Sequence, residues 1–156
     1  QQMLDTLDLY AGSSGTKART ALRVEYTRLF IGPPLPLISA SEGVYRSKKE
    51  GLLKPDMIVN HYSLAIDGFM KTCGVFPADD NRDAIDCVHT ECEFAAYLLA
   101  SDKFSKEIAI TPESAYLSFL EEHLQVWIPE FCDDVERSTR LPFYAKMAKM
   151  LKELVG

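Results

Sequence analysis

The chain has no stretch near the roughly 20 consecutive apolar residues that a membrane span requires, so we expect no stable membrane insertion. Its N-terminus lacks a basic segment followed by an apolar one, which is the pattern of a secretory signal peptide. Convincing runs of alternating apolar and polar residues, which would indicate half-buried β-strands, are also missing. These absences favour a helical protein of the cytoplasm.

Metal-ligating and redox-active residues are scarce. No two of the four cysteines form a CxxC pair, and a chain of 156 residues needs no disulfide framework. We therefore expect reduced, mostly buried thiols at Cys73, Cys87, Cys92 and Cys132. The three histidines include no HExxH motif, and His89 with Glu93 would supply only two of the four ligands of a closed zinc site. We expect no metal and no cofactor.

The charge is acidic, with a formal net charge of −6 at pH 7. An acidic surface repels phosphate backbones and anionic lipids, so nucleic acid is not an expected partner. A cationic partner suits this balance better.

Helical periodicity runs through the chain and predicts helices near residues 2–10, 16–31, 41–49, 54–72, 82–100, 111–136 and from 142 onwards. Gly32-Pro33-Pro34 ends one of them, because two prolines cannot supply the next backbone donors. Thr111 before Pro112 is typical of a helix start. We predict an all-α fold, a single-domain helical bundle of about seven helices over residues 1–156.

The predicted helix at 82–100 carries the strongest functional pattern. It begins with acidic residues and ends with apolar ones, and a core stripe is predicted at Ile85, Val88, Cys92, Ala95 and Leu99. The other face carries Asp83 and Cys87, then Phe94, Tyr97 and Leu98. An acidic end beside an apolar cleft suits a peptide with a cationic start and an apolar continuation.

Two sequence stretches in the first two thirds of the chain resemble a known family. One is EYTRLFIGP at 25–33 with EGVY at 42–45, which is similar to the "YxxLFxGP … ESVY" pattern of the TorD/DmsD chaperones. The other is DAIDC at 83–87 followed by ECEFAAYLL at 91–99, which resembles the family's "E-P-x-D-H" and "E-L-x-F-M-A-x-L-L" segments.

Two further stretches follow in the family's order. FLEEHLQVWIPEF at 119–131 is similar to "FLxEHLxxWxPxF", and PFY at 142–144 precedes the last amphipathic helix. Together the four span residues 20–155. The segment before residue 20 matches less clearly, and family members carry more chain there, so the N-terminal part of the domain is expected to be incomplete.

The resemblance implies a cytoplasmic, non-enzymatic chaperone that binds the twin-arginine leader peptide of a molybdopterin oxidoreductase subunit in its apo form before export. The signal-peptide-binding residues that it implies are first Asp86, Asp83 and Cys87, and then Glu91, Tyr26, Phe30, Glu42, Tyr45, His123 and Trp127. Two departures affect this assignment. Cys87 stands where the family has histidine, and Ala84 stands where it has proline.

Three alternatives stay open at this point. The client could be a nitrate-reductase-type subunit without an export leader, which the same fold would serve. The protein could instead be a nucleotide hydrolase or a thiol-dependent enzyme at Cys87, although neither a phosphate loop nor a base partner supports this. The chain could be a monomer or a domain-swapped dimer.

Overall fold

The computed structural model describes residues 15–32, 34–51, 60–76, 84–100 and 110–156. Within these ranges the protein is helical and has no β-strand, so the all-α prediction is confirmed. The helices are α1 (Gly15–Tyr26), α2 (Glu42–Lys49), α3 (His61–Thr72), α4 (Val88–Ala100), α5 (Pro112–Phe119), α6 (Gln125–Ser138) and α7 (Pro142–Val155), with π-helical turns π1 (Thr27–Ile31) and π2 (Leu120–Leu124). The helix predicted at 2–10 lies outside the described residues.

The described residues form two compact units. The first combines those up to Ser39 with Pro129–Leu154, and the second comprises those within Ala40–Ile128. In the first unit the core includes Leu29, Phe131, Cys132, Val135 and Ala148. In the second it includes Ile66, Phe94, Leu98, Phe119, Trp127 and Ile128. The single domain expected over residues 1–156 stays a prediction.

The start of α4 differs from its prediction. The helix begins at Val88 rather than near residue 82, and residues 84–87 form a turn. The Val88 N–H donates to the Ala40 carbonyl at 2.9 Å, and Cys87 forms an isolated antiparallel bridge with Ser41. Pairing with this extended segment replaces the helical bonds that periodicity alone would assign, so the prediction for 84–87 was wrong. Residues 82 and 83 lie outside the described residues.

The buried face of α4 also differs from the predicted stripe. Glu91, Phe94, Ala95 and Leu98 are buried, whereas Leu99 is exposed. Apolar residues occur on several sides of this helix, so their spacing alone does not select the face that packs. Phe94 and Leu98 therefore belong to the core, although Leu98 also borders the floor of a groove between α4 and α5.

The turn π1 ends at a glycine that cannot be replaced without strain. Gly32 has φ +29°, in the region that side chains disfavour, and its N–H donates to the Thr27 carbonyl at 2.7 Å. A β-carbon at this position would lie 2.7 Å from the Leu35 carbonyl oxygen. This explains the glycine in the LFIGP stretch.

In the first unit, Glu25 joins α1 to the connection between α6 and α7. Its carboxylate accepts hydrogen bonds from the Arg28 guanidinium at 2.8 and 2.9 Å and from the Arg140 N–H at 2.6 Å. The Arg28 side chain also donates to the Ser138 carbonyl at 2.6 Å. The hydrogen bond from Arg28 is the main cause that lowers the pKa of Glu25 to about 2.

We expect Glu25→Gln to destabilise the protein by about 1–2 kcal/mol at pH 7. This is less than the full pKa shift of Glu25 would give, because Arg28 is partly exposed and water screens the ion pair. Since the folded pKa lies below the usual value of 4.5, the stabilisation is present above pH 4.5 and is lost as the pH falls towards 2. Urea unfolding followed by circular dichroism at several pH values measures this. The exposed Glu153→Gln on α7 is the control, and an equal loss there would contradict the assignment.

Candidate functional site

Asp86, the first-ranked candidate, is a buried support for the start of α2. Its side chain is 2% exposed, and its carboxylate accepts hydrogen bonds from the Ser41 hydroxyl at 2.7 Å and the Gly43 N–H at 3.1 Å. Its backbone carbonyl accepts from the Glu42 N–H at 2.9 Å. The first N–H groups of a helix have no acceptor within the helix. The Asp86 carboxylate, which is distant in sequence, is the acceptor for one of them in α2.

The glycine in the EGVY stretch follows from this contact. A β-carbon at Gly43 would lie 2.7 Å from an Asp86 carboxylate oxygen and 2.2 Å from the Asn60 side-chain nitrogen. Asn60 is the cap of α3, where its side chain accepts from the N–H groups of Tyr62 and Ser63 at 2.9 and 3.0 Å. The serine that the family pattern has at position 43 would therefore require the Asn60 and Asp86 side chains to shift.

Glu42 is fully buried and joins two helical segments. His123, in π2, lies with Nδ1 at 3.0 and 3.2 Å from the two carboxylate oxygens. Because an ionised carboxylate only accepts hydrogen bonds, Nδ1 is the donor. Arg46, one turn along α2, donates to the same carboxylate at 2.7 Å and also to the Glu122 carbonyl at 3.2 Å. The carboxylate therefore binds α2 to π2 through charged hydrogen bonds.

Glu91 is a second fully buried carboxyl group. One of its oxygens accepts the Trp127 indole N–H at 3.0 Å, and the other has no hydrogen-bond partner in the described part of the chain. Burial and the nearby Glu42 charge raise the pKa of Glu91 well above its usual value, outweighing the opposing effect of the Trp127 bond. The surroundings of this carboxyl therefore favour its protonated form over its ionised form.

Aromatic rings enclose this polar cluster. The His123 ring lies 4.9 Å from Phe119 and 6.1 Å from Phe69, and the Tyr45 ring lies 5.6 Å from Trp127. His123, Tyr45 and Trp127 are all buried. The EHLxxW and EGVY stretches thus meet in the second unit, as parts of its core.

The remaining predicted residues lie elsewhere or are more accessible. Tyr26 is about half exposed and packs on the partly exposed Phe30 at 5.3 Å, in the first unit. Cys87 is partly exposed, and Asp83 lies outside the described residues. As contacts for a signal peptide, all ten residues stay predictions.

The thiols show little sign of nucleophilic activation. All four cysteines are thiols, and Cys73 and Cys132 are buried, as expected. Burial is the main cause that raises the pKa of the Cys92 thiol to about 11, with the neighbouring Glu91 adding to it. A thiol with that pKa is protonated at neutral pH and is a poor nucleophile.

Two surface features of the second unit were missed by sequence reasoning. One is a groove of about 450 Å³ between the end of α4 and the start of α5. The other is a hollow of about 490 Å³ beside α2, α3 and π2. The sequence does not mark the exposed residues of these surfaces, Leu99, Leu117, Glu50 and Glu122, as different from others. Helical spacing does not distinguish an exposed leucine from a core leucine, and exposed glutamates are common on helices.

The described ranges contain no group of three or more side chains placed to hold a metal ion. Among the helices of those ranges, none combines the length and the apolar character needed to cross a bilayer.

The fold and this cluster define a class of protein: an all-α protein whose second unit is built around buried Glu42, Glu91 and Asp86 side chains. The chain belongs to the nitrate reductase delta subunit family, which matches residues 1–133. The resemblance to the TorD-like chaperones is thereby confirmed.

One curated relative is a perchlorate reductase assembly chaperone protein of Dechloromonas aromatica (strain RCB). It is 24% identical to this chain over 127 residues, which cover 78% of the chain and 52% of the relative. The chain thus spans about half the length of this relative. No solved structure matches the chain significantly.

Proposed function

We propose that the protein is a cytoplasmic chaperone for the assembly of a molybdopterin oxidoreductase. In this proposal it binds the twin-arginine leader of the client's apo subunit before export and performs no reaction on it. Membership of the nitrate reductase delta subunit family and the likeness to a perchlorate reductase assembly chaperone support the general role. The acidic net charge of −6 suits a client segment that carries arginines.

The groove between α4 and α5, which we name the Leu99–Leu117 groove, is the observation that carries the proposal. Leu99 is 66% exposed and Leu117 is 49% exposed, and the wall also includes Tyr116 and Glu113. Exposed leucines that share one groove indicate a surface that a partner covers.

Charge around this groove matches a leader. Glu113, in the first turn of α5, places a carboxylate on the wall of this groove. An exposed stripe then continues from Glu113 through Leu117 to Glu121 and Glu122, over about 14 Å at 1.5 Å per residue. Arginines fit the acidic positions while an apolar segment covers the leucines.

The predicted site residues take two roles in this proposal. In this proposal the buried Asp86 and Glu42 hold the shape of the second unit, and so does His123, which also borders the hollow beside α2, α3 and π2. Cys87 and Tyr26 have accessible surface and remain proposed contacts, and so does Asp83 from outside the described residues.

Calorimetric titration with a synthetic twin-arginine leader peptide tests the proposal. We expect the double variant Leu99→Ser/Leu117→Ser to bind about thirtyfold more weakly, because each leucine loses about 1 kcal/mol of apolar burial. The control is Leu64→Ser, which changes an equally exposed leucine on α3 outside the groove. No binding by the unaltered protein, or equal weakening in both variants, would refute the proposal.

A second candidate function, assembly of a nitrate-reductase-type subunit that is not exported, has one observation in its favour. The matching family is that of the nitrate reductase delta subunit. In that case the client segment would lack paired arginines. A leader peptide with both arginines replaced by glutamine separates the two. Affinity that falls with the arginines supports the twin-arginine leader, whereas affinity that depends on the leucines alone supports the non-exported client.

A further inference from the structure

One side of α7 carries a row of apolar side chains that solvent reaches. The row is Phe143, Met147, Met150 and Leu154, and we name it the α7 stripe. Successive members are four, three and four residues apart, which keeps them on one side of the helix. Leu154 is 72% exposed and Met147 is 39% exposed, while Phe143 and Met150 are partly exposed. The stripe is therefore accessible over about 16 Å of the helix, at 1.5 Å per residue.

The face of α7 that packs on the core is a different one. The Tyr144 hydroxyl donates to the Leu22 carbonyl at 2.8 Å, and the Tyr144 ring lies 6.3 Å from that of Phe30. Ala148, one turn further along the same face, is buried. A surface helix needs one apolar face to pack on its own core. The second apolar face of α7 therefore indicates a surface that a partner covers.

The α7 stripe is complementary to itself in the antiparallel direction. Phe143 and Leu154 lie at its two ends, and Met147 and Met150 lie symmetrically between them. When a second copy of α7 runs the opposite way, Phe143 of one copy meets Leu154 of the other, and Met147 meets Met150. A two-fold axis relates these contacts, and this is the commonest symmetry of protein dimers.

Charged residues beside the α7 stripe favour the same direction. Lys146 and Glu153 are exposed and lie seven residues apart, on the same flank of the stripe. Between antiparallel copies, Lys146 of one copy faces Glu153 of the other, and the two-fold axis forms this pair twice. In a parallel pair the two charged flanks lie on opposite sides of the interface and do not meet. The charges thus complement a second copy of this chain in one orientation.

We propose that the protein forms a homodimer in which the α7 stripes of two copies pack in antiparallel orientation. This dimer does not depend on the proposed function. It differs from a domain-swapped dimer, because each α7 stays packed on its own chain. Four side chains per copy bury less than the roughly 1,000 Å² of a stable specific interface, so we expect a weak dimer with a Kd of about 100 µM.

Sedimentation velocity of the full chain at about 5–500 µM tests the dimer, because its population rises with concentration by mass action. We expect the average mass to rise from that of a monomer towards that of a dimer. Met147→Ser/Leu154→Ser removes two apolar side chains from each copy and should weaken association more than about a hundredfold. Both side chains are exposed, so the variant should keep its fold, which circular dichroism checks.

Leu35→Ser/Leu37→Ser is the matched control. These leucines are 70% and 57% exposed and belong to the same unit as α7, but they lie in the segment between π1 and α2. We expect this variant to associate as the unaltered protein does.

A charge exchange tests the orientation. Lys146→Glu replaces two attractive pairs by two repulsive ones and should weaken association about tenfold. Adding Glu153→Lys to that variant restores opposite charges across the interface and should recover the affinity of the unaltered protein. Only the antiparallel arrangement predicts this recovery.

Each result decides one part of the proposal. An unaltered protein that stays monomeric over the whole concentration range would show that no such dimer forms. Equal weakening by the serine variants of α7 and of the control segment would show that association does not use the α7 stripe. A charge exchange that fails to recover the affinity would overturn the antiparallel pairing.

Discussion

Replacing Glu42 by alanine should destabilise the protein by about 3–5 kcal/mol. Glu42 is fully buried, and its carboxylate is the partner of both His123 at 3.0 Å and Arg46 at 2.7 Å. Removing it leaves Arg46 without its carboxylate and the buried His123 without a hydrogen-bond acceptor. An unpartnered buried polar group costs more than the pair itself contributes, because water cannot replace the lost bond.

Urea unfolding measures this loss, and Trp127, the single tryptophan of the chain, is a convenient fluorescent probe. Trp127 is buried in the same unit and its ring lies 5.6 Å from that of Tyr45, so its emission should change when the unit unfolds. The control is Glu121→Ala, which removes an exposed carboxylate from π2. If Glu42→Ala loses less than about 1 kcal/mol, the carboxylate is not the connection that we describe.

The fold was predictable where local signals agree. Thr111 and Pro112 predicted the start of α5, where the Thr111 hydroxyl accepts from the Ser114 N–H at 3.1 Å. Gly32 predicted the end of the first described helical segment. In both cases the residues that set the boundary lie within a few positions of it, so a single sequence contains the necessary information.

The start of α4 was not predictable in this way. Residues 84–87 leave the helix because they pair with residues 40–42, about 45 positions earlier in the chain. A periodicity argument considers one segment at a time and has no access to such a contact. The same limit explains why the sequence did not predict that Asp86 supports the N-terminus of α2.

The π-helical turns were also not predictable from the spacing of apolar residues. Each inserts an extra residue into the helical ladder, and both fall within family stretches, at 27–31 and 120–124. In π2 the inserted turn contains His123, which reaches Glu42. Such turns are frequent at functional sites, and here one of them positions a histidine that sequence reasoning identified without its partner.

A second large effect should appear in the pH dependence of stability. Burial and the neighbouring Glu42 raise the pKa of Glu91 well above the usual value of 4.5. Above pH 4.5 the unfolded chain releases the Glu91 proton, whereas the folded protein keeps it. The free energy of unfolding should therefore fall as the pH rises, by up to about 1.4 kcal/mol per pH unit, until the folded pKa is passed.

Glu91→Gln should remove this slope. Glutamine has the shape of the protonated carboxyl and can still accept the Trp127 N–H through its carbonyl oxygen, while its amide cannot ionise. We expect the variant to match the unaltered protein near pH 4.5 and to become the more stable of the two as the pH rises above that. Urea unfolding at half-unit steps of pH, followed by Trp127 fluorescence, measures the difference.

Two controls make the result specific to Glu91. Glu93→Gln changes an exposed carboxylate two residues further along α4 and should leave the slope unchanged. Glu91→Leu removes the acceptor of the Trp127 N–H as well. It should therefore also lack the pH slope, but it should be about 1–3 kcal/mol less stable than Glu91→Gln at every pH. Equal slopes in Glu91→Gln and the unaltered protein would mean that Glu91 is ionised in the folded state.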